Sequence, residues 1–411
     1  MKKLEVRLTH APGQERVVGQ LAEAEHRVYF EYDPVFLQSP TWLSPFKLPP
    51  EPGLHEHRDL AFGPLFGLFD DSLPDGWGLL LMDRCLKRRG VALETVSPLD
   101  RLAYLGTRTM GALTYHPPAL LEDRDRELMD LQVMSREAHR VLQGTSGDVL
   151  PQLLRAGGSP GGARPKVLVG IRGMTMISGE DDLPEGYTHW LVKFHTAQAA
   201  RDDGCIEYAY AAMARAAGLR VPATRLLETS GGDRFFGVER FDRQANRRIH
   251  VHTLGNLIHA NFRIPGCDYA TLLKVARVLT KNHADVAAAF RLMVFNLLAH
   301  NRDDHVKNVA FMLNSEEEWQ LAPAYDLTFA RGPGGEHTMT VDGEGRAPGY
   351  SHIRKLAAAA DLSGREVAAV VEAVSEAVAG WPRFARVAGV SKESTRTINA
   401  EIRQCLKRLG P

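Results

Sequence analysis

Residues 300–327 read HNRDDHVKNVAFMLNSEEEWQLAPAYDL. A polar run from Asp303 to Asn308 leads into the apolar stretch VAFML, and a second short run ends at Asp326. This pattern predicts a loop, an outgoing strand, a polar turn and a returning strand. Because the two runs are similar in length and a strand advances about 3.3 Å per residue, the hairpin should bring Asp326 back near Asn308.

An aspartate, an amide and a second aspartate brought together in this way suit phosphoryl transfer. One carboxylate can orient the attacking hydroxyl and accept its proton, while an amide oxygen and another carboxylate hold Mg²⁺ on the phosphates. Asp303 and Asn308 have the D-x-x-x-x-N spacing of protein-kinase catalytic loops. Lys307 could neutralise charge that develops nearby. The pair alone is equally well explained as ordinary loop residues, and the return to Asp326 favours the site.

A second interpretation is a metal-dependent hydrolase. His300, Asp303, Asp304 and His305 are residue types that bind zinc or manganese. The sequence offers no helical HExxH pair and no distant histidine-rich segment to complete such a site. The hydrolase is therefore the less supported of the two interpretations.

Two segments upstream bear on phosphate binding. Residues 155–166, RAGGSPGGARPK, are rich in glycine, which lets backbone N–H groups turn toward phosphate oxygens. They match neither GxxxxGK[ST] nor GxGxxG, so alone they would be read as a surface turn. Lys193, in HWLVKFH, should face the side of its strand opposite Trp190 and Val192. Glu207 on the next predicted helix is a candidate ion-pair partner for this lysine. The order of these features along the chain favours a kinase.

Composition limits the class of protein. The chain has 411 residues, and 50 basic residues balance 50 acidic ones, so no broad positive field predicts direct binding of nucleic acid. None of the four cysteines forms a CxxC pair, which is typical of reduced thiols in a cytoplasmic protein. No apolar run approaches the ~18 residues of a membrane span, and the first residues lack the apolar run of a signal peptide.

The pattern of periodic segments predicts an α+β protein in three parts. These are an N-terminal α/β part over 1–115, a linker helix with a small β-rich part over 116–245, and a larger helical part over 246–411. Asp75 and Asp285 are placed to cap helices that follow them, and Ser363 with Glu366 has capping-box spacing. Residues 331–350 contain six glycines and should form a mobile loop.

The chain resembles the HipA-like toxin kinases over nearly its whole length. In its first part FGLFDDSLPDGWGLLLMDR and LAYLGTRTMGALTY resemble the family's N-terminal region. GGARPK, HWLVKF, IEYAYAAMARAAGL, VERFDR, NRDDHVKN and LAPAYDL then follow in family order. The resemblance implies a bilobal protein-kinase-like fold related to phosphoinositide kinases, with a small β-rich lobe and a larger all-α lobe.

The resemblance also implies roles for individual residues. Asp303 would be the catalytic aspartate, and Asn308 and Asp326 would bind Mg²⁺. Ser159 would be autophosphorylated, which would expel the adjoining loop and stop the enzyme. The remaining residues of the implied ATP site are the phosphate loop Gly161, Gly162, Ala163, Arg164, Pro165 and Lys166, the phosphate-contacting Lys193, the adenine-side Glu239, Arg240 and Phe241, and His305 and Lys307.

The resemblance further implies an ATP-dependent serine/threonine protein kinase paired with a HipB-like DNA-binding antitoxin, through which alone it would meet DNA. Its substrate would be an aminoacyl-tRNA synthetase, whose phosphorylation halts translation. Two departures stand out: His252 and Thr253 replace residues that are often acidic in the family, and Asn301 stands where a literal HRD would have histidine. A small-molecule kinase and an inactive co-repressor partner of the antitoxin are the alternatives.

Overall fold

The computed structural model describes residues 1–119, 128–144, 151–157, 161–195 and 202–409. The chain forms two compact units. The first unit comprises Met1–Ala199, Leu227–His252 and Asn256–His259, and the second comprises Ala200–Leu226, Thr253–Gly255 and Ala260–Pro411. Ser159 and the first half of the predicted linker helix lie outside the described residues. The three-part division remains a prediction.

An antiparallel five-stranded sheet begins the first unit, in the order β4-β3-β2-β1-β5. Leu4, Val6 and Leu8 alternate along β1 and are buried, as expected for a strand with one face on the core. The elements around this sheet are β1 (Lys2–Ala11), β2 (Gln14–Ala24), β3 (Arg27–Tyr32), β4 (Leu54–Glu56), α1 (Gly67–Asp70), α2 (Gly76–Arg88), α3 (Pro98–Leu105) and β5 (Leu113–His116).

A second sheet contains five strands in the order β7-β6-β8-β10-β9, and its last strand, β9 (Thr224–Glu228), runs across the boundary between the units. Val167 lies opposite Val192 in its register, and both belong to the buried core on one face of the sheet. The remaining elements of the unit are α4 (Leu131–Leu142), α5 (Pro151–Gly157), β6 (Lys166–Arg172), β7 (Thr175–Ser178), β8 (Thr188–Lys193), β10 (Arg234–Glu239), β11 (Arg243–Gln244) and β12 (Arg247–Arg248).

The second unit is mainly helical and includes a short hairpin. Three elements run across the boundary between the units: β9 (Thr224–Glu228), β13 (Val251–Thr253) and α7 (Leu254–Ile258). The elements wholly within the second unit are α6 (Asp203–Ala216), β14 (Cys267–Asp268), α8 (Tyr269–Thr280), α9 (His283–Leu298), β15 (Ala310–Leu313), β16 (Trp319–Leu321), β17 (Met339–Thr340), α10 (Tyr350–Ala359), α11 (Gly364–Ala379), α12 (Trp381–Ala388) and α13 (Lys392–Leu409).

Helix caps only partly follow the sequence prediction. Ser363 and Glu366 form the predicted capping box at the start of α11. Helix α9 is capped by Asn282, whose side chain accepts from Ala284 N, and not by Asp285, which lies inside its first turn. Asp75 precedes α2, but its side chain makes no cap hydrogen bond. The assignment of Asp285 was wrong because Asn282 stands at the cap position. The assignment of Asp75 was wrong because its carboxylate has a different partner.

Residues 331–350 include a paired strand and buried side chains between their glycines. It contains strand β17, which pairs in parallel with β14. The Asp268 carboxylate accepts from Thr340 Oγ1 at 2.6 Å and from Gly343 N at 2.9 Å. Met339 and Val341 are fully buried. Glycine content indicates turns but says nothing of the buried anchors between them, so the contacts were not foreseen; the mobility of the segment stays a prediction.

Two buried histidines of the first unit should make its stability fall in acid. Burial lowers the pKa of His250 to about 3 and that of His189 to about 4. Unfolded histidine titrates near pH 6.5. Below that pH the unfolded chain therefore binds protons at these histidines, while in the folded chain they stay neutral. Each histidine then removes about 1.4 kcal/mol of unfolding free energy per pH unit, between about 6.5 and its folded pKa.

Denaturant unfolding at pH 7, 6 and 5 measures this loss. His250→Gln keeps a donor for the Leu43 carbonyl, which His250 Nε2 contacts at 3.1 Å, but cannot titrate. We expect the variant to lose less stability between pH 7 and pH 5 than the unchanged protein. Parallel curves for the two proteins would contradict this assignment.

Candidate functional site

Helix α9 precedes the loop from Asp303 to Asn308 and sets where that loop begins. The helix is buried along most of its length and ends at Leu298, and the chain reverses at His300, whose φ is +54°. Asn301 N then donates to Asn296 O at 2.9 Å. A left-handed residue after a helix is usually glycine, so this histidine is held there by its surroundings.

Asp303 combines a fixed backbone with an exposed carboxylate. Its carbonyl oxygen accepts from Asn308 Nδ2 at 2.7 Å, which closes the loop across its five-residue spacing. The side chain is 57% exposed, and His305 Nε2 lies 3.9 Å from its Oδ1. A carboxylate held by its backbone and presented to solvent is suited to receive a proton from an incoming hydroxyl.

Asp304 points the other way and anchors the loop. Its fully buried carboxylate accepts from Tyr269 Oη and from His337 Nδ1 at 2.8 Å each, and from Thr338 N at 2.8 Å. Asn296 Nδ2 donates in turn to Tyr269 Oη at 2.9 Å. These bonds tie the loop to α8, to α9 and to the start of β17. No sequence pattern indicated Tyr269 or His337, because their roles depend on contacts between distant segments.

Two of the four residues proposed as metal ligands in the hydrolase interpretation, Asp304 and His300, have protein partners. The Asp304 carboxylate is occupied by three protein donors, and His300 Nδ1 lies 3.2 Å from the Ala330 carbonyl oxygen. Within the described ranges, no three His, Cys, Asp or Glu side chains are grouped so that they could hold a metal ion. The structure therefore gives no support to a zinc or manganese hydrolase built from these residues.

The predicted hairpin is present and returns to the loop. Strands β15 and β16 pair with Phe311 opposite Leu321, and Ala322 N donates to Ala310 O at 2.9 Å. Tyr325 Oη then donates to Lys307 O at 2.6 Å, which joins the residues immediately before Asp326 and Asn308. The two residues proposed to bind Mg²⁺ are thus the next ones along two bonded segments.

Asn308 and Asp326 fit a magnesium ion in their chemistry. Mg²⁺ prefers oxygen ligands, mostly carboxylates, phosphates and water. The Asn308 amide is oriented by its Nδ2 bond to the Asp303 carbonyl, which leaves Oδ1 as its acceptor atom. Asp326 adopts a φ of +54°, a strained conformation that aspartate tolerates better than most residues and that recurs at functional sites.

His305 and Lys307 share one aromatic ring. Lys307 Nζ lies 4.9 Å from the centroid of Phe262, and the His305 ring lies 5.5 Å from it. The cation is attracted by the face of the ring, which fixes a positive charge between Asp303 and Asn308 in the sequence. Phe262 was not singled out from the sequence, because a lone aromatic residue carries no local pattern.

Two lysines face each other in the second sheet of the first unit. Lys166 on β6 and Lys193 on β8 are direct partners in the antiparallel register, so their side chains lie on the same face. Their exposed fractions are 4% and 6%. Like charges directly opposite each other destabilise a sheet. Such a buried pair contrasts with the solvated lysine that a lone strand position predicts.

The segment Glu239–Phe241 contributes differently from its sequence prediction. Arg240 donates from Nε and Nη2 to the two oxygens of Asp242, at 2.9 and 2.7 Å, and both residues are buried. Burial alone would raise the pKa of Asp242, but Arg240 and Arg243 together hold it far below its usual range. The Arg240 guanidinium is therefore committed to this pair, and the adenine-side role of Glu239 and Phe241 remains a prediction.

Glu207 is a buried acid on α6, with an exposed fraction of 1%. Its predicted ion pair with Lys193 remains a prediction. In the glycine-rich segment, Gly161, Gly162, Ala163, Arg164 and Pro165 lead directly into β6 at Lys166.

His252, one of the two departures from the family pattern, joins a buried polar cluster. Its Nδ1 lies 2.5 Å from Asp71 Oδ2 and its Nε2 lies 3.0 Å from Ser44 Oγ. The connectivity is that of a serine nucleophile with its base. Ser44 and His252 are each 0% exposed, so no substrate reaches the hydroxyl. The cluster links three distant parts of the first unit, and it explains what a histidine does at this position.

Asp304→Asn should destabilise the protein without altering the residue that faces the solvent. The amide provides one acceptor oxygen where the carboxylate serves three donors, so at least one buried partner loses its bond. Hydrogen bonds to charged groups contribute roughly 1.5–3 kcal/mol, and an orphaned buried donor adds its desolvation cost. We expect a loss of about 3 kcal/mol in unfolding free energy by denaturant titration. A change below about 0.5 kcal/mol, typical of surface substitutions, would contradict the anchor.

Comparison with known proteins gives family and structural matches. Residues 12–116 match the HipA N-terminal domain, and residues 158–381 match the HipA-like C-terminal domain. A candidate kinase of Sinorhizobium fredii (strain NBRC 101917 / NGR234), Y4dM, is 28% identical over 185 residues, which are 41% of this chain and 42% of that protein. The match thus spans less than half of the relative's length.

A solved structure shares the fold. It is the HipA chain in the complex of the Shewanella oneidensis MR-1 toxin–antitoxin system HipA and HipB with its operator DNA. The TM-score is 0.72 at 18% sequence identity, covering 98% of this chain and 96% of that one. The α+β fold class predicted from the sequence is confirmed. No helix in the described part of the chain is long and apolar enough to cross a membrane.

Proposed function

Because the chain belongs to the HipA-like family, we propose that it is a Mg²⁺- and ATP-dependent serine/threonine protein kinase and the toxin of a toxin–antitoxin pair. The observation that carries the proposal is the closed loop of the second unit. There Asn308 Nδ2 bonds the Asp303 carbonyl, and Tyr325 bonds Lys307 beside it. An exposed aspartate, an amide oxygen and a second aspartate are the groups that phosphoryl transfer requires.

In this proposal Asp303 orients the serine or threonine hydroxyl and accepts its proton. Asn308 and Asp326 hold Mg²⁺, which when bound neutralises charge on the phosphates. Lys307, fixed over Phe262, places a further cation near the same loop. The transition state of phosphoryl transfer spreads negative charge over the phosphoryl oxygens, so positioned cations and a positioned base provide most of the catalysis.

The first unit supplies phosphate-binding groups. Lys166 and Lys193 are paired across two strands with their side chains on one face, so that both would attract an ATP phosphate. The backbone of Gly161–Lys166 would add N–H donors, and the backbone of Glu239–Phe241 would meet the adenine. Glu207 would support Lys193. Ser159 would receive a phosphate in an autophosphorylation that stops the enzyme.

The proposals for the partner and for the substrate rest on membership of the family. The Shewanella oneidensis HipA chain is found with HipB and operator DNA. We infer a HipB-like antitoxin here, and a formal net charge of zero suits a chain that meets DNA only through such a partner. The proposed target is a hydroxyl of an aminoacyl-tRNA synthetase, whose phosphorylation would halt translation.

Transfer of label from γ-³²P-ATP tests the function. Purified full-length protein is incubated with a lysate of its host, with Mg²⁺ or with EDTA, and labelled proteins are identified by mass spectrometry. We expect Mg²⁺-dependent label on a synthetase and on Ser159. Absence of label on every protein, including the chain itself, would favour an inactive co-repressor, and label confined to small molecules would favour a small-molecule kinase.

A further inference from the structure

The glycine-rich segment Gly161–Lys166 is bound by a turn from the N-terminal part of the same unit. Asp75 accepts a hydrogen bond from Gly162 N, and Trp77 N donates to Gly162 O at 3.0 Å. The indole Nε1 of Trp77 donates to Lys166 O at 3.0 Å. Residues 75–77 therefore bond this part of the chain at Gly162 and again at Lys166, the first residue of β6.

Glycines on both sides permit this close approach. Gly76 has a φ of +43°, and a Cβ there would lie 2.7 Å from Ala163 Cα and 2.8 Å from Gly162 C. A Cβ on Gly161 would lie 3.2 Å from Asp75 Oδ1. Since a side chain at Gly76 would force the two backbones apart, the contact is a feature of the sequence as well as of the fold.

Asp75 stands at the position that normally caps a helix. An aspartate before the first turn usually accepts from a backbone N–H of the second or third residue, and α2 has no such bond. The carboxylate is turned to Gly162 N instead. The Asp75 carboxylate therefore does not stabilise its own helix as a cap. It places a negative charge beside Gly162 N, a backbone donor of the segment Gly161–Lys166.

We propose that Asp75 is a built-in competitor of the nucleotide phosphates. An N–H group serves one strong acceptor at a time, and the Asp75 carboxylate is an anionic acceptor like a phosphate oxygen. Lys166 Nζ is meanwhile bonded to Gly161 O, within the same segment. Phosphate binding at Gly162 N therefore requires the carboxylate to leave. The inference rests on the proposed function and adds to it a residue that sets the affinity for ATP.

Removal of the charge should strengthen nucleotide binding. Asp75→Asn keeps the shape but replaces a charge-assisted hydrogen bond by a neutral one, which is roughly half as strong. We expect the dissociation constants of ATP and ADP to fall roughly five- to tenfold, while that of adenosine, which has no phosphate, stays unchanged. In steady-state transfer, KM for ATP should fall and kcat should stay within about twofold.

Calorimetry on full-length protein with ATP, ADP and adenosine measures the effect. Asp83→Asn is the matched control, because Asp83 lies on the same helix and bonds Arg101 at 2.6 Å instead of the segment. Asp75→Ser is a second variant, which removes the charge and can cap α2, so a folding defect of the first variant leaves the test intact.

The outcomes separate the two hypotheses. Unchanged or weaker ATP binding in both Asp75 variants would overturn the competitor, while ATP binding by the unchanged protein would keep the kinase proposal. Equal tightening for ATP and adenosine would also overturn it, because a loosened segment and not a freed donor would then be responsible. Failure of the unchanged protein and of every variant to bind ATP would overturn both.

Discussion

Asp303→Asn should reduce phosphoryl transfer by about 10²–10⁴-fold while ATP remains bound. The amide has the shape of the carboxylate but cannot accept the hydroxyl proton. The bond that fixes the loop runs from Asn308 Nδ2 to the Asp303 backbone carbonyl, which the substitution leaves in place. The side chain is 57% exposed, so little stability depends on it. Single-turnover transfer to the identified substrate, alongside growth of cells that express the variant, measures both consequences.

The neighbouring substitution Asp304→Asn provides the contrast for this test. It makes the same chemical change one residue further along, where the carboxylate serves three buried donors. Asp303→Asn should lose activity and keep its unfolding free energy, whereas Asp304→Asn should lose unfolding free energy first. Full transfer by a folded Asp303→Asn protein would remove this aspartate from the reaction. Growth inhibition by that variant would indicate a mechanism other than phosphorylation.

Asp326→Ala should abolish the Mg²⁺-dependent part of ATP binding. A carboxylate that coordinates the metal couples it to the phosphates, and alanine leaves Asn308 without its partner. Calorimetry of ATP with Mg²⁺ and with EDTA separates the contribution of the metal from that of the nucleotide. We expect the unchanged protein to bind far more tightly with Mg²⁺ and the variant to bind equally weakly in both buffers.

Backbone strain at this position calls for a second variant. Asp326 has a φ of +54°, which asparagine adopts more readily than alanine, so Asp326→Asn separates the loss of charge from the loss of backbone geometry. Asp361→Ala is a surface control, since Asp361 is 79% exposed and pairs with Arg277 at 2.8 Å. Unchanged Mg²⁺ dependence in both Asp326 variants would remove this residue from the metal site.

The hairpin could be predicted because its information is local. The apolar runs around residues 310 and 320, with a polar turn between them, specify two paired strands whatever surrounds them. The same holds for Lys193, since the alternation along a strand sets it opposite Trp190 and Val192. The chain segments that follow these patterns lie where the sequence predicted.

Residues whose partners are distant in sequence could not be assigned in this way. The Asp75 carboxylate bonds a glycine 87 positions away, and the Asp304 carboxylate bonds His337, 33 positions away. Helix-capping rules consider only the next few residues, so they placed Asp75 on its own helix. Glycine content predicted mobility for 331–350, although Asp268 and Asp304 anchor this segment. Competition between local and tertiary partners decided each of these cases.

In one short loop the side chain of Asp303 faces water and that of Asp304 faces the interior, with exposed fractions of 57% and 0%. The length of the loop is therefore under as much constraint as its composition. One residue gained between Asn301 and Asp303 would place Asp303 at the buried position of Asp304, and one residue lost there would place His305 at that position. Amino-acid exchanges around the loop leave this spacing intact, whereas an insertion or deletion would change the exposed residue and the buried residue in a single event.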